Sequence, residues 1–464
     1  MFYTKETVLI LSIMLLSFYA TGCAKQKFVT KPIDQAQILH RLDNKNVEDA
    51  NFKSYLIQQG YLSNQLPFTS WGLDELTYCA LFYHTKLNVA KSQLALANAQ
   101  VNTAALRQNP ILSGDSARSN QKNNDIKPWA LGLNVQIPIE TTNKRNIRIE
   151  QAQQLAQAAK LDVADVAWQI RAQIANDLLR YHQNTALINA LKNELETQIK
   201  IVDLLQKRAK LGALSHTDLG IANLKLQNAQ LALRVEQARL AEIHVNLAAN
   251  VGLSIEKFND IQLKPHNVDE ILAAQNALLN TAGKSKSLQS DALLNRIDVR
   301  RSLARYGAAE SAIKLEVAKQ TPDIVLTPGF AFEFGDSIWS LGFSTLLSLL
   351  NKNETLINEA LMLRDIEGAQ FEALQASIIS SLNQKIAIYE LKYKLINDLN
   401  LQLDTQLTYS QQLQKQFDAG LIDRLEITQN QANALEIKKQ LIIEKYQVLA
   451  SLLAIEEIMQ KPVF

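Results

Sequence analysis

The residue types that carry chemistry are dispersed in this chain. Its six histidines stand at 40, 84, 182, 216, 244 and 266, with no spacing to one another or to cysteine that would set ligands around a metal ion. No GxSxG elbow presents a nucleophilic serine and no P-loop cradles phosphate. Scattered Asp and Glu on long helical stretches read as a solvated face. Catalysis, a metal and any other cofactor are therefore not expected. Two carboxylates nonetheless stand in matched surroundings: Asp218 in LGALSHTD and Glu426 in AGLIDRLE. At those positions an acid can complete a helix cap, or it can present charge at the end of a helical hairpin.

The elements that hold those acids are two breaks in otherwise uninterrupted helical pattern, AKLGALSHTDLG at 209–220 and FDAGLIDRLEIT at 417–428. Gly212 and Gly420 can take the left-handed conformation that closes a helix, and Ser215 and Asp423 can cap the next one. Each break is then a tight helical hairpin. His216 lies in the first, where it is either an exposed turn residue or a source of pH sensitivity.

Before each break runs a very long helix. From Asn143 to Leu211 no Pro or Gly intervenes, roughly 100 Å of helix at 1.5 Å per residue. Leu187, Leu191, Leu195, Ile199, Val202, Leu205 and Ala209 advance by three or four along it. The second stretch, Asn351 to Phe417, carries Leu395, Leu399, Leu403, Leu407, Leu413 and Phe417 in a comparable seam, with Gly368 inside it. Such helices need partners along their whole length. Composition agrees: 15 Gly and 9 Pro in 464 residues leave few turns, and sparse aromatics with 47% apolar residues favour long slender helices. A formal charge of +2, without Lys/Arg runs interleaved with aromatics, excludes nucleic acid as the implied partner.

Period-two alternation marks strands elsewhere. Leu131, Leu133, Val135, Ile137 and Ile139 alternate with Gly132, Asn134, Gln136 and Pro138; Ile324 to Phe334 and Trp339 to Leu349 repeat the pattern. A fourth run, Pro110 to Arg118, alternates poorly and is accepted by analogy with its counterpart. About ten residues suffice to cross a bilayer when tilted. Trp129 and Trp339 open equivalent strands, where an interfacial aromatic belt would place them. The other reading, a water-soluble sheet packed on a core, lacks a second sheet to pack on.

The two halves correspond. Pro110 aligns with Pro322, Trp129-Ala130-Leu131-Gly132 with Trp339-Ser340-Leu341-Gly342, and Leu211-Gly212 with Ala419-Gly420. One unit of helix, two strands, long helix, glycine break and return helix has been used twice. The expected divisions are a signal peptide at 1–22, an N-terminal lipid-anchored segment at 23–70, repeat 1 at 71–252, a linker at 253–292 and repeat 2 at 293–464. Repeat 1 has its strands near 109–139, its long helix at 143–211 and its return helix at 215–252. Repeat 2 has them near 322–349, at 351–417 and at 423–458. Residues 24–70 are polar and are expected along the outside of the helices.

At the N-terminus Lys5 precedes an apolar run from Val8 to Ala20, too short to span a bilayer but suited to an export signal. Ala20-Thr21-Gly22-Cys23 resembles a bacterial lipobox, with Ala20 where Leu is usual. Cys23 is then the lipidated first residue of the mature protein; a plain signal peptide cut nearby is the other reading. Ala24 after the cysteine resembles the sorting signal for the outer membrane. The only other cysteine, Cys79 in TYCALFYHT, is expected as a small buried hydrophobe.

Together these features resemble the TolC family of outer membrane efflux proteins, from about Trp71 to Ile458. The matching residues are Cys23, the paired Asn109-Pro110 and Thr321-Pro322, Pro128-Trp129 with Leu131-Gly132-Leu133, the RIDVR of Arg296 to Arg300, and the two glycine hairpins. The resemblance implies a mainly α chain with membrane β-strands, assembled as a homotrimer. Its twelve-stranded outer membrane β-barrel would be continuous with a long periplasmic α-helical barrel. It implies passive conduction gated at the hairpin tips, and no bond made or broken. The tips would meet a periplasmic adaptor that links the duct to an inner-membrane pump of RND or ABC type, in a Gram-negative bacterium. By the same resemblance Asp218 and Glu426 fall near the pore constriction, although capping alone would also account for them. Gln429 stands where some members have a second acid. Leu211, Gly212, Leu214, Ala419, Gly420 and Leu421 are the expected adaptor contacts. Pro138-Ile139 with Asn143-Lys144-Arg145 resembles the metal-efflux branch, and the cargo is left open among metal ions, drugs and peptides. A periplasmic coiled-coil adaptor or tethering lipoprotein is the alternative class, though it would show one hairpin flanked by Gly-rich β-domains.

Overall fold

The computed structural model describes residues 28–120, 128–265, 267–279, 290, 293–333, 335–346 and 351–462. The expected signal peptide and Cys23 lie outside them. The first compact unit, residues 1–45, contributes one described helix, α1 (Gln35–Asp43), capped by the Asp34 carboxylate, which accepts from the Gln37 amide at 3.1 Å.

All other elements belong to the second unit, residues 46–464. They are α2 (Ala50–Gln58), α3 (Leu73–Tyr83), α4 (Thr85–Ala104), β1 (Ile111–Arg118), β2 (Trp129–Ile139), α5 (Lys144–Lys210), α6 (His216–Val251), α7 (Ile255–Phe258), α8 (Val268–Leu279), α9 (Ile297–Ala318), β3 (Ile324–Glu333), β4 (Asp336–Thr345), α10 (Glu354–Asp418) and α11 (Arg424–Met459). The order α4-β1-β2-α5-α6 recurs as α9-β3-β4-α10-α11. At 67 and 65 residues, α5 and α10 each reach about 100 Å. Neither they nor any other described helix is apolar enough to cross a membrane.

Helix α5 is the common partner, packing on α4, α6, α9 and α11, while α10 packs on α9 and α11. Of the expected seam, Leu191, Val202 and Leu205 are buried, but Ile199 is exposed and Ile201 takes the inward place. In α10, Leu399 and Leu413 are buried whereas Leu395 and Leu407 are exposed. The correction has a physical reason. Apolar residues at three- and four-residue steps on a 3.6-residue helix spread over two flanks, and this chain covers only one of them.

Two further expectations change. The polar stretch before Trp71 does not simply lie outside: Phe52 and Leu56 are fully buried against Trp71, Leu76, Cys79 and Phe258. Phe52 contacts the rings of Trp71, Phe82 and Tyr83. Phe52, Tyr55 and Leu56 stand at i, i+3 and i+4 of a nine-residue helix, a signal of barely more than one turn that the polar composition of the whole stretch hides. The stretch expected as a linker is likewise engaged in its first half. Leu253, Phe258 and Ile261 join that core, Trp71 and Leu263 form a parallel bridge, and Leu272 of α8 is buried in a second core with Val299, Leu382 and Val448. Cys79 is buried as expected.

The four strands form one antiparallel sheet in the order β1-β2-β3-β4. β4 begins at Asp336 rather than Trp339, and residues 347–349 lie outside the described set. Trp129 opens β2, but Trp339 is the fourth residue of β4. Through the register Leu133↔Phe330↔Trp339 it lies level with Leu133, four residues along β2 from Trp129. The two indoles do not share one level. The tight β3–β4 connection lets Glu333 pair with Asp336, which starts β4 early.

The sheet is fastened to the helices where β2 meets α5. Thr142 and Asn143 take left-handed conformations, φ 50° and 59°, turning the chain into the helix. Lys144, 6% exposed, donates from Nζ to Asp323 Oδ1 at 2.7 Å and to the Thr321 carbonyl at 2.6 Å, and the Thr141 amide donates to the same carboxylate at 2.9 Å. Burial pushes the Asp323 carboxyl up, but the bonds from Lys144 and Thr141 outweigh it and hold it below the usual carboxylate range. Asp323→Asn strands a buried ammonium and is expected to cost about 3 kcal/mol, measured as a lower melting temperature in detergent. Because the folded pKa is depressed, this contribution is complete above the unfolded value of about 3.9 and is lost as pH falls through the folded one. Wild type and variant should therefore converge only in strong acid.

Candidate functional site

Two regions stand out among the described residues: the open apolar face of the sheet and the outermost residues of the hairpin tips. On the sheet, directly opposed residues share a face. The register Leu131↔Phe332, Leu133↔Phe330↔Trp339 and Ile137↔Leu326↔Phe343 gathers the apolar residues of three strands on one side. That side is open: Trp339, Leu341 and Phe343 are 82%, 74% and 78% exposed. β1 extends it with Leu112, Gly114, Ser116 and Arg118, which is why its alternation is weak in sequence. The opposite face carries Ser113, Asp115, Gly132, Asn134, Thr327, Gly329 and Ser340. Among the described residues β1 and β4 each have one neighbour, so their outer edges are unpaired there.

At the other end the two glycine breaks close in the same way. At the end of α5 the Gly212 amide donates to the Ala209 carbonyl and the Ala213 amide to that of Arg208, both at 3.0 Å. At the end of α10 the Gly420 amide donates to Phe417 at 2.8 Å and the Leu421 amide to Gln416 at 2.9 Å. Both are the double-bonded turn that a left-handed glycine allows, with φ 72° at Gly212 and 74° at Gly420. Ser215 Oγ then accepts from the Asp218 amide at 3.1 Å, while the Asp423 carboxylate accepts from Leu425 at 2.7 Å and Glu426 at 3.3 Å. Lys207, Arg208 and Lys210 in the last turn of α5 oppose the negative end of its dipole.

The sequence did not reveal that the two tips are tied together. Arg208, on the first, forms an ion pair with the Asp423 carboxylate on the second. Ile201, Val202 and Leu205 of α5 share a buried cluster with Ala222 of α6 and Leu425 of α11. No local pattern could have shown it, because the partners lie more than 200 residues apart.

The expected tip residues fall into two groups. Leu211 and Leu421 project into solvent, 83% and 75% exposed, and Gly212, Ala419 and Gly420 are exposed beside them. Leu214 instead packs partly against the buried cluster. Asp218 and Glu426 are both exposed at the third position of their helices, and the Ser215 hydroxyl donates to the Asp218 carboxylate at 2.7 Å. Gln429 and His216 are exposed as well. No group of three His, Cys, Asp or Glu able to hold a metal occurs among the described residues.

Comparison with known proteins gives both ends a context. Residues 77–253 match the family model described as outer membrane efflux protein. No curated protein matches the chain in sequence. Among solved structures, CusC superposes with a TM-score of 0.68 at 16% identity, over 95% of this chain and all of its own. VceC of Vibrio cholerae gives 0.66 at 17%, over 84% of this chain and 97% of its own. The MtrE channel of Neisseria gonorrhoeae gives 0.63 at 14%, over 84% and 89%. At these identities the likeness is one of fold.

The tip geometry predicts how each glycine responds to substitution. A Cβ at Gly212 or Gly420 meets no atom within 4 Å, so Ala at either suffers only the left-handed backbone, about 1–2 kcal/mol. Amides of the adjoining last turn should exchange roughly 5- to 30-fold faster. Gly220→Ala, inside α6 and equally unobstructed, should slow exchange instead.

Proposed function

We propose that this chain, whose residues 77–253 match the outer membrane efflux protein family model, is the outer membrane channel of a tripartite efflux or secretion system. The observation that carries the reading is a four-stranded sheet, apolar on one face and unpaired at both edges, mounted on helices of about 100 Å. Four strands cannot close a membrane barrel, since single-chain barrels begin at about eight. Lipid tolerates neither open edges nor unsatisfied backbone groups. Three copies contributing four strands each would complete a twelve-stranded barrel, with two repeats per chain and the helices continuing the wall into the periplasm. The exposed second flanks of α5 and α10 suit the same assembly, because each would meet a neighbouring copy.

In this reading Cys23 anchors the chain to outer membrane lipid. Leu211, Gly212, Ala419, Gly420 and Leu421 meet a periplasmic adaptor, with Leu214 supporting the turn from beneath. The adaptor joins the duct to an inner-membrane pump, and substrates cross passively. Asp218 and Glu426, repeated by symmetry, ring the constriction and favour cations. The Arg208–Asp423 pair links the tips whose separation would widen that mouth.

Planar-bilayer recording tests the channel. The purified protein should give discrete ionic currents with cation preference, reduced several-fold in Asp218→Asn with Glu426→Gln. Absence of pores in a folded, trimeric preparation would favour an adaptor or tether instead.

A further inference from the structure

The polar face of the sheet has a repeated pairing that channel formation alone does not require. Three polar residues oppose a glycine on the next strand: Asp115 faces Gly132, Asn134 faces Gly329, and Thr327 faces Gly342. Glycine inside a strand weakens it, and recurs where another group must approach the backbone closely. Here the approaching groups are side chains. A Cβ at Gly132 would sit 2.5 Å from Asp115 Oδ1 and 2.7 Å from Oδ2. One at Gly329 would overlap Asn134 Oδ1 outright and lie 2.7 Å from Ser340 Oγ. The carboxylate and the amide therefore do not stand up from the sheet, as strand side chains ordinarily do. They lie down across the neighbouring strand, in the space a side chain would fill.

Charge is sorted as well. Among the described strand residues, the charged side chains on this face are Asp115, Glu333 and Asp336, all acidic. Arg118 belongs to the apolar face, 5.3 Å over the Trp129 ring.

We propose that Gly132 and Gly329 are seats that flatten the inner wall of the duct at the level of the sheet, and that Asp115, laid over Gly132, makes this stretch of wall selective for cationic solutes. The inference rests on the channel reading, since it takes the polar face as the water-filled side. It assigns specificity to residues about 100 Å, the length of α5, from the acids of the tips.

The test is local, so that resistance elsewhere in the duct cannot hide the answer. Ala331 lies beside Gly132 on the same face. In the full-length trimer, Ala331→Cys is treated with a cationic and an anionic methanethiosulfonate of equal size, with wild type, whose Cys79 is buried, as the control. The cationic reagent should react several-fold faster. Adding Asp115→Asn should cut that ratio at least twofold without slowing the anionic reagent. Adding Gly132→Ala should slow both reagents, because the carboxylate is lifted into their path, and Asp115→Ala on top of it should restore the anionic rate. Equal rates for the two reagents, or a preference that survives Asp115→Asn, would overturn the proposal while leaving the channel intact. If neither reagent reached the thiol, the water-filled duct itself would be refuted. Should Gly132→Ala fail to assemble, the Asp115→Asn arm still decides.

Discussion

Everything in this chain depends on the backbone groups at two strand edges. Among the described residues β1 and β4 each have one neighbour, which leaves a row of N–H and C=O groups unpaired at the two edges of a sheet with one apolar face. In hydrocarbon each such group costs several kcal/mol, roughly. Neither a longer loop nor a better core in the same chain can remove that cost. Only further strands can, and the chain has none to give among its described residues. In the proposed membrane setting the edges would thus impose assembly on a polypeptide that otherwise has sizeable cores of its own.

The helices transmit that requirement over a long distance. Lys144 and Asp323 fix the base of the sheet to the start of α5, and α5 then serves as the common wall for α4, α6, α9 and α11. Buried polar pairs along it, such as Asp177 with Asn250 at 2.6 Å and Arg301 with Asp162 and Asp165 at 2.9 Å, fix register where leucines alone would permit sliding. At the far end, the glycine turns and the Arg208–Asp423 pair hold two hairpins side by side. The chain is pinned by Lys144 and Asp323 where strands meet helices, while Leu211 and Leu421 stand open at the opposite end.

Much of this was legible in the residues because the signals are local and periodic. Gly212 and Gly420 announced both turns, Ser215 and Asp423 both caps, and the alternation from Leu131 to Ile139 one face of the sheet. Contacts distant in sequence were not legible. Phe52 and Leu56 gave no sign of their burial under Trp71, and Arg208 none of its link to Asp423, because neither pairing has a period. Leu214 illustrates a finer limit: it packs back on the cluster that holds Ala222 and Leu425, a contact with no local sign in the turn. Trp339 lies deeper in β4 than the alternation implies because Glu333 already pairs with Asp336, with Gly335 at φ 123° between them.

Pairing of the two free edges between copies is the claim to be tested most directly. With a cysteine at Ser113 on β1 and cysteines scanned from Ser337 to Ser344 on β4, oxidation in detergent should yield a covalent ladder that stops at three chains. The reactive position on β4 should be confined to a narrow register. Monomers at every position, or a ladder that runs past three without closing, would contradict the account.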